Sequence, residues 1–193
     1  MELLELITLV RDLHFHQYVE FIEENEKTCA QCGPEVKLEL SGENFLFGGL
    51  YAVDFLTNDG SVKVLEMHPD RIKCFAPIHV SDGDSLNVEL KGLVWSDTII
   101  TIKDISYDPV SLKHNLEGFF DFWFDRNDLR YDEASRTGNI IHSLMLENRN
   151  ISIDFGSSEI ASVFALLDAI ENSGIKEISI YSETAIRDCP ELK

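Results

Sequence analysis

Between Val36 and Ile105 the apolar residues recur at every second position, and this fixes the middle of the chain as β-sheet. Val36/Leu38/Leu40 and Leu86/Val88/Leu90 alternate with charged or polar neighbours, so one face of each segment turns to a core and the other to water. Turn signals separate the apolar runs at Ser41-Gly42, Asn58-Asp59-Gly60, Ser81-Asp82-Gly83 and Ser96-Asp97. Together they predict an antiparallel meander.

The two ends obey other periods. Up to Lys27 the spacing is helical but the apolar stripe shifts: Leu3, Leu6, Ile7, Val10 and Leu13 share one face, whereas Phe15, Tyr18, Val19 and Ile22 share another. One straight helix cannot bury both stripes, so the expectation is two short elements with a break near His14-Phe15-His16. Near the other end Ile151, Ile153 and Phe155 alternate. Ser157 and Ser158 then cap a helix whose stripe is Ile160, Val163, Phe164, Leu167 and Ile170, Gly174 stops it, and Ile178 and Ile180 follow as a strand. The fold class is therefore α+β, mainly an antiparallel meander with an N-terminal helical segment and a C-terminal β-β-α-β unit. No linker rich in Pro, Gly or Ser interrupts the 193 residues. They read as one domain, divisible at most into sub-blocks 1–108 and 109–193.

Composition enters through charge. Against 16 Lys and Arg stand 35 Asp and Glu, a formal net charge of −19. Nucleic acid and anionic lipid are held by clustered basic residues, so neither suits this surface, and the expected partner is a basic protein. The longest uncharged stretches run to about ten residues, about half of what a membrane span needs. The start, Met1-Glu2-Leu3-Leu4-Glu5-Leu6, lacks the basic region of an export signal. A cytoplasmic protein is expected, with Cys29, Cys32, Cys74 and Cys189 as thiols or metal ligands before disulfides.

Cys29-Ala30-Gln31-Cys32-Gly33 resembles half of a zinc knuckle. Two thiolates at that spacing chelate one ion, but a tetrahedral site needs two more ligands. His14 and His16 would lie about 200° apart on a helix, and His68, Cys74 and Cys189 are single residues. No metal and no cofactor are expected, Cys29 and Cys32 being weak candidates. A thiol-redox role is weaker still, because no helix begins after the pair.

The run Phe119-Phe120-Asp121-Phe122-Trp123-Phe124-Asp125-Arg126-Asn127-Asp128, taken as a strand, puts Phe120, Phe122 and Phe124 on a core face. Trp123 then shares the other face with Asp121 and Asp125, so Asp121, Trp123, Asp125 and Asp128 are the candidate partner-binding residues. No Gly-x-Ser-x-Gly elbow, phosphate loop or His-Glu-x-x-His occurs, and Ser157 reads as a helix cap. The sequence thus points to a non-enzymatic acidic binding module, an inhibitor or immunity-type protein for a basic partner. The alternative is a small hydrolase-like enzyme or zinc-binding protein whose site is assembled only in three dimensions.

Overall fold

The computed structural model describes residues 3–42, 44–81, 86–125 and 137–189. The turn at Asp82-Gly83 and the acidic stretch from Arg126 through Glu133, Asp128 included, lie outside them.

The chain opens on one unbroken helix, α1 (Leu3–Glu26), without the expected break at His14. Its buried residues are Leu6, Ile7, Val10, His14, Gln17, Tyr18 and Ile22, a helical stripe that is continuous only if two polar side chains count as core. Gln17 is accommodated because its amide is fully engaged. Its Oε1 accepts from the Asp70 and Arg71 amides at 3.0 Å each, and its Nε2 donates to the Leu13 and Arg71 carbonyls at 3.1 Å. The first half of α1 packs into the main core, and the second half joins Phe55 and Met67 in a separate cluster.

The alternating segments form strands, but not one meander. β1 (Cys32–Glu39), β2 (Leu50–Thr57) and β3 (Lys63–Leu65) make a three-stranded antiparallel sheet. β4 (Ile78–Val80), β5 (Asn87–Leu90) and β6 (Thr98–Ile102) belong to a second sheet of order β4-β5-β9-β6-β8-β7. There β7 (Ser143–Glu147), β8 (Asn150–Asp154) and β9 (Glu177–Tyr181) supply the rest. β9 runs parallel to β5 and antiparallel to β6, and lies between them. The second sheet therefore draws strands from both 1–108 and 109–193. The α+β class and the C-terminal β-β-α-β unit are present as read, the latter as β7, β8, helix α3 (Ala161–Glu171) and β9.

Residues 119–124 depart from the strand reading, since the whole of 109–124 is helical. This helix, α2 (Pro109–Phe124), is capped by Asp108, whose side chain accepts from the Val110 amide at 2.9 Å, with Pro109 in the first turn. Leu112, Leu116, Phe119, Phe120, Trp123 and Phe124 are buried, a spacing that belongs to a helix. On α3 the buried residues are Ser162, Val163, Leu166 and Ile170, while Ile160, Phe164 and Leu167 are half-buried along its side. Ser157 does not cap it. Its hydroxyl accepts from the Ile140 amide at 3.3 Å, and Ile160, the residue before α3, supplies no side-chain cap. Beyond α3, Gly174 takes φ +80°, a conformation suited to glycine at a helix end. A short helix, α4 (Glu183–Asp188), follows β9, and Cys189 just beyond it forms a disulfide with Cys74. That pairing corrects the thiol reading for these two cysteines, whereas Cys29 and Cys32 are free.

Two stability outcomes follow. Leu166→Ala removes a fully buried side chain and should cost about 2–5 kcal/mol in urea unfolding, more than Leu167→Ala. Equal losses would contradict the helix phase given above. The disulfide joins residues 115 apart, and the restraint on so long a loop is worth on the order of 5 kcal/mol in the chain-entropy picture. A Cys74→Ser/Cys189→Ser variant should melt at a clearly lower temperature than the oxidised protein.

Candidate functional site

The strand β2 is covered on both sides. Ala52, Val53, Asp54 and Phe55 are buried in succession, Phe55 against Tyr18, Ile22 and Met67, and Ala52 against the main core. An acid in such a strand needs partners, since an unpaired buried charge is costly. The register sets a second acid across from it, because Pro34 pairs with Phe55 and Val36 with Val53, which places Glu35 opposite Asp54. Glu35 has a left-handed backbone, φ +51°, uncommon for a residue with a side chain and found where surrounding contacts hold it.

Facing these two carboxylates is His142, whose side chain is 2% exposed. Its Nε2 lies 2.9 Å from Glu35 Oε1, and its Nδ1 lies 3.0 Å from Asp54 Oδ1 and 3.9 Å from Asp154 Oδ2. The second oxygens are occupied: Asp54 Oδ2 accepts from the Met67 amide at 2.7 Å, Glu35 Oε2 from the Gly138 amide, and Asp154 Oδ1 from the Gly156 amide at 2.8 Å. The backbone of His142 is fixed as well. Its carbonyl accepts from the Ala52 amide at 2.7 Å and its amide donates to the Asp154 carbonyl at 2.9 Å. Gly156, at φ +51°, leaves room for the ring, because a Cβ there would stand 2.1 Å from His142 Cδ2. Tyr18 closes one side, edge-on at 5.8 Å, while its hydroxyl donates to the Asp54 carbonyl at 2.9 Å.

This environment shifts several groups. Burial works against the imidazolium, yet the adjoining Asp54 and Glu35 carboxylates outweigh it and hold His142 well above its ordinary pKa. Burial by itself would raise Asp54, and the contact with His142 reverses this and lowers it. Asp154 is pushed up to about 7, by burial first and by the charge of Asp54. Glu66, which meets the same Asp54, is also raised to about 7, again chiefly by desolvation. Nearby, His14 is lowered to about 4 by burial, and neither of its ring nitrogens makes a hydrogen bond.

Chemically the cluster can store a proton or hold a cation. Asp54, His142 and Asp154 bring ligand atoms within 4.8 Å of one another. Glu35 and Asp54 side chains are only 5% and 8% exposed, and the cluster reaches solvent only at its edge, through Asp154. Sequence reasoning missed all four residues. The signal was Asp54 itself, a carboxylate interrupting the apolar run Leu50-Tyr51-Ala52-Val53-Asp54-Phe55-Leu56.

The residues singled out from sequence lie elsewhere. Trp123 is 4% exposed and packs inward from α2. Phe122, placed in the core by the strand reading, is the large exposed aromatic there at 58%. Asp121 and Asp125 are exposed, the latter 3.2 Å from Lys37 Nζ, and Asp128 is among the residues not described. Cys29 and Cys32 flank a turn, with Cys32 Sγ donating to the Cys29 carbonyl at 3.4 Å. The Cys29 thiol is raised to about 11, by desolvation and then by hydrogen bonds with Cys32 and Asp59. That direction is opposite to the one a reactive thiolate requires. No family model, curated protein or solved structure matches this chain.

His14 generates a pH prediction. Its folded pKa, about 4, lies below the ordinary 6.5, so the folded state binds fewer protons; this stability is present above pH 6.5 and is lost as pH falls toward 4. The loss across that window is on the order of 3 kcal/mol. In His14→Phe, unfolding free energy measured at pH 7 and pH 5 should fall less on acidification than in the wild type. An unchanged slope would mean that His14 does not titrate as described.

Proposed function

We propose that this protein is a non-enzymatic, acidic protein-binding module, of the inhibitor or immunity kind, that takes a basic partner. The observation that carries the reading is the excess of 19 negative charges on a folded chain of 193 residues. Such a field speeds encounter with cationic partners and repels nucleic acid. The burial of His142, Glu35 and Asp54 supports binding over catalysis. Among the described residues, the open cavities are lined by other side chains.

The seat that fits this reading is a groove of about 610 Å³ between α2 and α3, lined among others by Phe119, Phe122, Trp123, Phe164, Ala165 and Asp168. The acid in its lining is Asp168 on α3; at 100° per residue Asp121 and Asp125 lie farther round α2, on the side of Phe122 away from the groove. A segment bearing apolar side chains beside Lys or Arg is the complementary occupant. Trp123 contributes to the floor, and Phe122 takes the place of exposed anchor.

No helix among the described residues is long and apolar enough to cross a membrane. The cytoplasm remains the proposed setting, and the Cys74–Cys189 disulfide is the observation that counts against it, since such bonds persist mainly in oxidising compartments. Thiol alkylation at the moment of lysis distinguishes the two.

The test is capture from native lysate followed by identification and quantitative binding. The expected partner is a basic protein whose association slows as salt rises. Phe122→Ala combined with Asp121→Asn and Asp168→Asn should weaken binding about tenfold or more while leaving the melting temperature nearly unchanged. A partner without basic character, or binding indifferent to these three changes, would refute the proposal.

A further inference from the structure

We propose that the His142 cluster is a divalent-cation site, with Asp54, His142 and Asp154 as ligands and Glu35 as the group that orients the histidine. This is independent of the binding role proposed above. Three observations support it, beyond the presence of acids.

The first is the orphaned nitrogen. His142 Nδ1 is buried and makes no hydrogen bond, although it lies 3.0 Å from Asp54 Oδ1. The distance is close and the alignment is wrong for N–H···O. An ion would displace the Nδ1 proton and bind the lone pair it leaves, while Glu35 holds the Nε2 proton by accepting it at 2.9 Å. A carboxylate holding the far nitrogen of a ligating imidazole is the usual outer-shell partner in metal sites.

The second is spacing. Ligands about 2.0–2.1 Å from a tetrahedral zinc ion stand about 3.4 Å apart. The separations of 3.0 and 3.9 Å from Nδ1 to the two aspartate oxygens bracket that value. The donor set, one imidazole with two carboxylates, suits a first-row divalent ion, and we commit to zinc(II).

The third is charge. Three carboxylates, those of Glu35, Asp54 and Asp154, surround one imidazole in a nearly closed space. The imidazole carries at most one positive charge against three carboxylates, and a divalent ion in place of the Nδ1 proton narrows the deficit. Gly156 keeps the ring seated, since any side chain there would displace it. Asp154 is 24% exposed, so the ion's entry and its remaining coordination position lie on that side. Because Asp54 sits on β2 and Asp154 on β8, the ion joins the two sheets.

The experiment uses the full chain, stripped with EDTA and dialysed, then titrated with zinc chloride against a chromophoric chelator and, separately, with cobalt(II). We expect about one zinc per chain, a higher melting temperature with zinc, and a cobalt spectrum without the near-ultraviolet band of thiolate ligands. Asp154→Asn, a conservative change at the most exposed ligand, should lose zinc affinity by tenfold or more, and Glu35→Gln by about 10- to 100-fold. A Cys29→Ser/Cys32→Ser variant should bind as the wild type does. Should Asp54→Asn or His142→Ala fail to fold, the wild-type cobalt spectrum and Asp154→Asn still decide. Absence of binding, binding unchanged in Asp154→Asn, or binding that disappears with the cysteine pair would each overturn the assignment.

Discussion

The two sheets meet at His142. Its carbonyl takes the amide of Ala52 on β2, its amide reaches Asp154 at the end of β8, and its ring stands between Glu35 and Asp54. Burying these charges is expensive, and a well-packed apolar set of the same size would hold the sheets at least as firmly. What the charges provide is uniqueness. A one-residue slip of β1 against β2 would carry Glu35 away from Asp54 and strand carboxylates in the interior, a penalty that apolar side chains could not impose. The register of the small sheet and its placement on the large one are thereby set by the same contacts.

Much of the architecture was legible in the sequence, and its misreadings share a cause. α3 and the strands around it followed from clean periods in Ile151 to Ile180. α1 was split because His14 and Gln17 occupy stripe positions that polarity rules assign to solvent. Gln17 is core because four hydrogen bonds surround it, and nothing local in the chain announces that. The last turns of α2 read as a strand because aromatics crowd Phe119 to Phe124. The capping pair Asp108-Pro109 and the spacing of Leu112, Leu116 and Phe120 carried the helical signal. The site was illegible for a different reason. Glu35, Asp54, His142 and Asp154 come from separate stretches, and they converge only through strand register and sheet packing, neither of which a local period encodes.

The polar cluster and the proposed docking groove occupy different parts of the fold. The first is built from strands β1, β2 and β8 and the segment before β7, the second from the outer faces of α2 and α3. Substitutions at the exposed groove residues Phe122 and Asp168 therefore have little effect on folding, whereas changes at Glu35, Asp54 or His142 act on the joint between sheets. The separation lets the acidic surface vary without disturbing the interior charges.

The placement of β9 bears on how the chain reaches this state. Residues 177–181 lie between β5 and β6, made much earlier in synthesis, and pair with both. Until they arrive β5 and β6 have no common neighbour, and their unpaired edges are templates for the wrong strand. On the ribosome the larger sheet cannot close before residue 181 has emerged. Its pairings span long sequence separations, which slows folding and prolongs exposure of these edges. A chain of this charge carries its own protection through that interval, since nascent copies repel one another while the central strand is still missing.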